Sequence, residues 1–282
     1  MEEILFQKIL VPVDGSKTSF DAFDWAVQIA LPEQAVITAL CIIDVRVSHE
    51  AHVYLPNLNQ IGVSYENLSP TESAAAYQRW ADKVIDYARN RSAAVHVKLN
   101  PEIVDGIPYK EIISRGAGHD LLVMGGWQMS SDYPGPFLAG STVWQVVAHT
   151  DLPALHVFGE PQKIKTILVA YDDTPAAENA LQLAATWAKT WNLKLVVLTV
   201  QPDGDQAQAL LRQARRRVEP VSPRLIAREG DPGEVIKEIA GQHQCELISL
   251  GVPPHHLWQG HSLGGVIDNL LHTGTLPLLL SH

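Results

Sequence analysis

The sequence predicts an α/β protein built twice over, each copy a five-stranded parallel sheet with helices on both faces. Three observations carry that prediction. Near the start, Lys8-Ile-Leu-Val-Pro-Val-Asp14-Gly-Ser16 is answered later by Lys165-Thr-Ile-Leu-Val-Ala-Tyr-Asp172-Asp-Thr174. Each is an apolar run ending in aspartate, followed by a small hydroxyl residue where a helix should begin. The tails repeat as well: Asp120-Leu-Leu-Val-Met-Gly125 matches Glu246-Leu-Ile-Ser-Leu-Gly251, and Asp151-Leu-Pro153-Ala-Leu matches Thr275-Leu-Pro277-Leu-Leu. Between these landmarks, apolar runs of strand length alternate with segments of helical period, the β-α-β order of a parallel sheet. The repeat unit, roughly 125 to 160 residues, has the size of a domain and not of a solenoid turn. Domains are expected at 1–160 and 164–282, joined by Pro161-Gln-Lys163.

In the first copy, Ile9–Val13 reads as a buried parallel strand because it is apolar without alternation. Ser16 can cap the next helix, whose Phe20, Phe23, Val27 and Ala30 recur at helical spacing. Ala35–Ile43 is the second strand, and Glu72–Arg91 a helix with Ala76, Trp80, Val84 and Tyr87 on one face. Val95–Leu99, Leu121–Met124 and Ala154–Phe158 complete the strands, with helices near Tyr109–Ser114 and Thr142–Ala148. The second copy places strands at Ile167–Tyr171, Lys194–Val200, Arg224–Ala227, Leu247–Leu250 and Leu278–Leu280. It lacks an insertion at 46–71, rich in Pro, Asn, Tyr and Ser, whose length suits either a lid or a contact surface. The fifth strands are the expected meeting edges, within one chain or between two, because an open edge invites pairing.

With 46% hydrophobic and 18% charged residues, the 282-residue chain is globular in composition. No apolar stretch reaches the roughly 18–20 residues of a membrane span, and the start lacks a signal-peptide apolar region, so a cytoplasmic protein is expected. Cys41 and Cys245 lack C-x-x-C spacing and read as reduced core thiols. A net charge of −10 argues against nucleic acid, and the one basic cluster, Arg212–Arg217, fits a solvent-facing helix.

In an open parallel sheet, ligands bind beyond the C-terminal strand ends where strand order reverses. Asp14 and Asp172 end the first strands there, and Gly125 and Gly251 end the fourth. Gly140-Ser141-Thr142 then opens a helix, whose free N–H groups and hydroxyls suit an anion. Together these describe a nucleotide pocket.

These residues resemble the universal stress proteins, whose pattern is a strand ending in Asp, then G-x2-G-x9-G-[S/T] after the fourth strand. The resemblance covers essentially the whole chain, as a tandem member. It implies two Rossmann-like domains of the adenine nucleotide alpha hydrolase type, packed about a pseudo-twofold axis, and a stress-response or regulatory role. By the same resemblance, Pro12, Val13 and Asp14 contact adenine and ribose, and Ile42 lines the adenine pocket. Met124, Gly125, Gly140, Ser141 and Thr142 hold ribose and phosphates of ATP, with or without magnesium.

Both copies depart from the pattern. In the first, Gln128 replaces the second glycine and the run to Gly140 is two residues longer, so that Gly126 or Gly135 could stand in. In the second, which maps to Tyr171, Asp172, Val200, Leu250, Gly251, Gly264 and Gly265, Pro254 replaces the second glycine and Gly265 the Ser/Thr. Proline has no N–H and no access to positive φ. Each lost hydrogen bond to a charged group costs about 1.5–3 kcal/mol, roughly ten- to a hundredfold in affinity. The first copy is therefore the expected nucleotide site and the second is weak or silent.

Three other readings compete. Asp at a strand end before Ser or Thr is also an ordinary helix cap, which would leave a nucleotide-independent dimerisation or signalling module. Gly260-His-Ser262-Leu-Gly264 is a G-x-S-x-G, the nucleophile elbow of a serine esterase, but the nearest strand ends about a dozen residues earlier. His255, His256 and His261 suggest a metal, yet no Cys or carboxylate stands at ligand spacing among them. No general base, catalytic lysine or carboxylate dyad accompanies the phosphate loop, so at most slow ATP hydrolysis is expected.

Overall fold

Ten strands and eight helices account for the regular structure of the described residues, 5–45, 70–126, 142–253 and 265–282, in the computed structural model. The first half runs β1 (Lys8–Pro12), α1 (Lys17–Glu33), β2 (Val36–Asp44), α2 (Pro70–Val95), β3 (Lys98–Gly106), α3 (Pro108–Gly116), β4 (Leu121–Gly125), α4 (Thr142–His149) and β5 (Ala154–Val157). The second runs β6 (Thr166–Ala170), α5 (Pro175–Thr190), β7 (Lys194–Val200), α6 (Gly204–Arg217), β8 (Arg224–Arg228), α7 (Pro232–Gln242), β9 (Leu247–Gly251), α8 (Gly265–Thr273) and β10 (Leu278–Ser281).

All ten strands form one sheet in the order β3-β2-β1-β4-β5-β10-β9-β6-β7-β8. Within each half every pairing is parallel, and the halves join where β5 meets β10 antiparallel. At that seam Leu155 pairs with Leu279, Ala154 with Leu280 and His156 with Leu278. Leu155 and Leu279 occupy equivalent places in the two repeats, so the pseudo-twofold axis passes between them.

The apolar strands have helices on both faces, which is why they read as continuous hydrophobic runs. On one face a single core joins both halves, from Val11, Trp25 and Val84 to Val169, Leu181 and Trp187. Phe6 meets Trp187 edge-on at 5.5 Å. Glu33, buried at the end of α1, accepts hydrogen bonds from the Leu5 N–H at 2.8 Å and the Trp191 indole N–H at 2.5 Å, tying the halves together. On the other face the core divides: Leu10, Ile112 and Met124 belong to one cluster, Trp144, Ile239 and Leu280 to another.

Two differences from the sequence reading have local causes. Helix α2 runs on through Val95, so β3 begins at Lys98 and not at Val95. It continues past Pro101 because β3 is an edge strand, where a missing N–H leaves one side of the ladder intact. The acidic residue before each fourth strand also has a structural task. Asp120 Oδ2 accepts the backbone N–H of Gln7 and Lys8 at 2.7 and 2.9 Å; Glu246 Oε2 accepts those of Lys165 and Thr166 at 3.0 and 2.9 Å.

Gly125 and Gly251 are fixed by helix–sheet packing. A Cβ on Gly125 would lie 2.3 Å from the Thr18 carbonyl oxygen of α1, and one on Gly251 2.2 Å from the Ala176 carbonyl carbon of α5. Gly125→Ala and Gly251→Ala should each destabilise the fold by about 1–3 kcal/mol in urea unfolding, as overpacking does. Gly241→Ala on α7, where a Cβ meets nothing within 4 Å, should instead stabilise it by up to about 1 kcal/mol.

His156 gives the seam a pH response. Its ring is 3% exposed, stands 4.9 Å from Phe158, and leaves Nδ1 without a hydrogen-bond partner. Burial pushes its pKa down from 6.5 to about 4. A lowered histidine pKa means that the unfolded chain takes up the proton first. Stability is thus complete above about pH 6.5 and should fall by up to about 3 kcal/mol as pH drops towards 4. His156→Leu should remove that part of the pH dependence, read from denaturation midpoints across the interval.

Candidate functional site

The β1–α1 turn is built from its own side chains. The ladder extends one residue past β1, with the Val13 N–H donating to the Leu40 carbonyl at 2.9 Å. Asp14 Oδ1 then accepts the Ser16 N–H at 2.9 Å, while Ser16 Oγ caps α1 by accepting the Ser19 N–H at 3.1 Å. Ser19 Oγ accepts from the Asp14 N–H at 3.2 Å and donates to the Ser16 carbonyl at 2.9 Å. Between them Gly15 takes φ +77°, and a Cβ there would lie 3.0 Å from Val84 and 3.3 Å from Trp80 Nε1.

The second half repeats this turn. Asp172 Oδ1 accepts the Thr174 N–H at 3.1 Å, and Thr174 Oγ1 accepts the Ala177 N–H at 3.2 Å. Both caps have the same backbone, φ −70° and ψ 153°. The copies diverge in what surrounds the turn. Asp172 Oδ1 also takes the Thr174 hydroxyl at 2.7 Å. Asp173, at φ +64°, stands in place of Gly15 and is held by Tyr171 Oη at 3.0 Å and by Gln213 Nε2. Tyr171 Oη donates as well to Glu178 at 3.2 Å; burial and these carboxylates raise its pKa.

Strand order reverses between β1 and β4, and a cavity of about 200 Å³ opens there at the C-terminal strand ends. It brings together Pro12, Val13, Asp14, Ile42, Met124, Gly125 and Thr142. Ser16 and Thr18 add hydroxyls, and Pro108 and Ile112 of α3 form a wall that the sequence reading missed. The signal was present: Pro108 is a helix-opening proline directly after β3, and Ile112 lies one turn along the same face. Gly126 does not line the cavity; its N–H donates to the Val157 carbonyl at 2.6 Å, and a Cβ would strike Phe158. Gly140, Ser141 and Gly264 lie outside the described residues, as do the 46–69 part of the insertion, Gln128, Gly135, Pro254, Ser262, His255, His256 and His261.

In the second half the corresponding side chains are largely in the core. Tyr171 is buried on the face of α5 and α6, Leu250 is buried under α7 and α8, and Val200 packs against that same cluster. Gly251 abuts α5, and Gly265 is the exposed first residue of α8.

Other chemistry finds little support among the described residues. Burial pushes the Cys41 thiol far up, aided by Asp14 and Asp82, and the Cys245 thiol up to about 12, so neither is a ready nucleophile. β9 ends at Gly251 and α8 starts at Gly265, and Ser262 lies between them, outside the described residues. Asp268 and His272 fall on α8 itself. Among the described residues no cluster of His, Cys, Asp or Glu could hold a metal ion, and no helix is long and apolar enough to cross a membrane.

Known proteins share both the pattern and the architecture. The chain matches the profile of the Universal stress protein family over residues 5–157, 163–212 and 203–282. A universal stress protein of Methanocaldococcus jannaschii is 27% identical over 165 residues, which cover 57% of this chain and 86% of that protein. The crystal structure of a universal stress protein from Archaeoglobus fulgidus covers 97% of both chains with a TM-score of 0.77 at 19% identity. A functionally unknown protein from Pseudomonas aeruginosa covers 98% of this chain and 92% of its own, with a TM-score of 0.60 at 13% identity. At those identities the structures speak for the fold alone. The family profile, matched along both repeats, gives the sequence its name: the chain belongs to the universal stress protein family, as a tandem member.

Proposed function

We propose that this protein binds ATP or a related adenine nucleotide in its first half and acts as a stress-response or regulatory protein. The observation that carries the reading is the cavity at the β1–β4 switch, where Asp14, Ile42, Met124 and Thr142 converge. Pro12, Val13, Ile42 and Met124 offer apolar walls to adenine. Asp14 has one oxygen tied to its turn, which leaves the other for ribose hydroxyls. Thr142 and the start of α4 face the phosphates, with Gly140 and Ser141 assigned there by the family pattern. Magnesium, where present, would be held mainly by phosphate oxygens, since Asp14 is the one carboxylate lining the cavity among the described residues.

On this reading residues 1–160 and 164–282 are two domains, the second weak or silent toward nucleotide, and the protein is a cytoplasmic binding protein and not a dedicated enzyme. The buried Tyr171, and Asp173 held by Tyr171 and Gln213 where the first half has Gly15, support the asymmetry; Asp172, like Asp14, engages Oδ1 alone. A nucleotide-independent interaction module is the second reading; the packing duties of Gly125 and Gly126 favour it, because they explain both glycines without a ligand.

Mass spectrometry of the small molecules released from denatured protein, followed by calorimetric titration with ATP and magnesium, separates the two. About one nucleotide per chain is expected, with Asp14→Ala weakening binding at least about tenfold and Asp172→Ala leaving it unchanged. Equal loss from Asp172→Ala would overturn the asymmetry. No binding at all, in protein with an unchanged melting temperature, would establish the interaction module.

A further inference from the structure

A larger cavity, about 570 Å³, lies at the opposite end of the sheet, at the N-terminal ends of β6, β7 and β8 in the second half. That volume falls within the range of small-molecule sites. Lys194 opens β7, Arg224 opens β8, and His243 follows α7; all three line the cavity. Thr166 is registered with Lys194, and Val196 with Arg224. Val196 packs in the core beneath α7, so the alternation of the strands turns Lys194 and Arg224 towards that same face. Lys194 and Arg224 are exposed, and neither has an ion-pair partner among the described residues; a third cation, Lys189 of α5, also lines the cavity.

The walls are chemically mixed in a useful way. Val196 lines the cavity on the α7 face, Leu193 and Val221 supply apolar surface on the α5 side of the strand ends, and Asn192 and Ser222 supply polar groups. No carboxylate lines the cavity among the described residues, in a chain whose net charge is −10. Glu246, near the same strand ends, is already held by the Lys165 and Thr166 N–H groups.

The first half serves as an internal control. Its β1–β2 and β2–β3 registers place Lys8 where Thr166 stands, Val36 for Lys194, Thr38 for Val196 and Asn100 for Arg224. Aligning Asp120 with Glu246 puts Ala117 in the place of His243. The fold therefore does not require cations at these positions. The first copy carries Lys8 and Lys98 at its own strand ends, but cations at the Lys194 and Arg224 positions belong to the second copy alone.

We propose that this cavity is a second ligand site, distinct from the β1–β4 crevice, which takes a small organic anion: a phosphate or carboxylate group on Arg224 and Lys194, with an apolar body against Leu193, Val196 and Val221. A guanidinium pairs two oxyanion atoms at once, and an ammonium beside it adds charge without fixing direction. The anionic group would sit at the strand ends and the body within the cavity.

The test is titration of the full-length protein with phenyl phosphate and, separately, inorganic phosphate, by calorimetry and by backbone amide shifts of 15N-labelled protein. Saturable binding is expected, tighter for phenyl phosphate, with shifts centred on Asn192–Lys194 and Ser222–Arg224. Arg224→Glu combined with Lys194→Glu should weaken it at least about tenfold while the melting temperature holds; Arg224→Gln with Lys194→Gln serves if the reversed pair does not fold. Asp14→Ala should leave it unchanged, which separates this site from the nucleotide reading. Absence of saturation with both probes, binding undiminished in the charge-altered variant, or shifts centred on Asp14–Ser19 would each overturn the proposal.

Discussion

The antiparallel contact between β5 and β10 is the constraint on which the molecule depends. Each half ends its sheet with a strand of four residues, buried throughout, which could not be left as an open edge. Joining them turns two five-stranded sheets into one of ten, with β3 and β8 as its edges among the described residues. It also lines up α1 with α5 across one face. That alignment lets Trp187, Trp191, Phe6 and Glu33 close a core that neither half would complete alone. Because the seam is central, the one polar side chain among its paired residues matters: His156 stands where the other repeat has Leu280.

The same duplication explains why the aspartate turns persist in both halves. Asp14 and Asp172 each accept the N–H two residues on, and each is followed by a hydroxyl that caps a helix. Gly125 and Gly251 let those helices sit directly on the fourth strands. These are packing and capping requirements of the fold, and they hold whether or not a ligand binds. What distinguishes the halves is the next layer out. The first keeps a cavity whose apolar walls, Pro12, Ile42 and Met124, stand beside its aspartate. The second buries Tyr171 and engages Asp173 with Gln213, so its turn is braced from within.

Duplicated halves need not keep duplicated surfaces. Interior positions are held by the shared sheet, while positions at strand ends face solvent and are free to diverge. The polar ends of the two halves show that freedom at both poles: at the C-terminal strand ends in the β1–β4 crevice, and at the N-terminal ends in the cations Lys194 and Arg224.

The sequence by itself determined the repeat, the element order and the parallel sheets, because buried strands must be apolar throughout and helices must show a periodic face. It also marked Asp14 and Asp172 at strand ends and Leu155 beside an edge that had to pair. Several matters were decided only by the tertiary structure. Sequence could not say that Gly125 meets Thr18 and Gly126 meets Phe158, since a glycine's reason lies in what occupies the missing Cβ position. It could not extend β3 past Pro101, because tolerance of that proline depends on the strand being at an edge. Nor could it gather Pro108 and Ile112 with Asp14, or Lys194 with Arg224 and His243. Those residues are distant in the chain, and only strand register and crossover geometry bring them to one place.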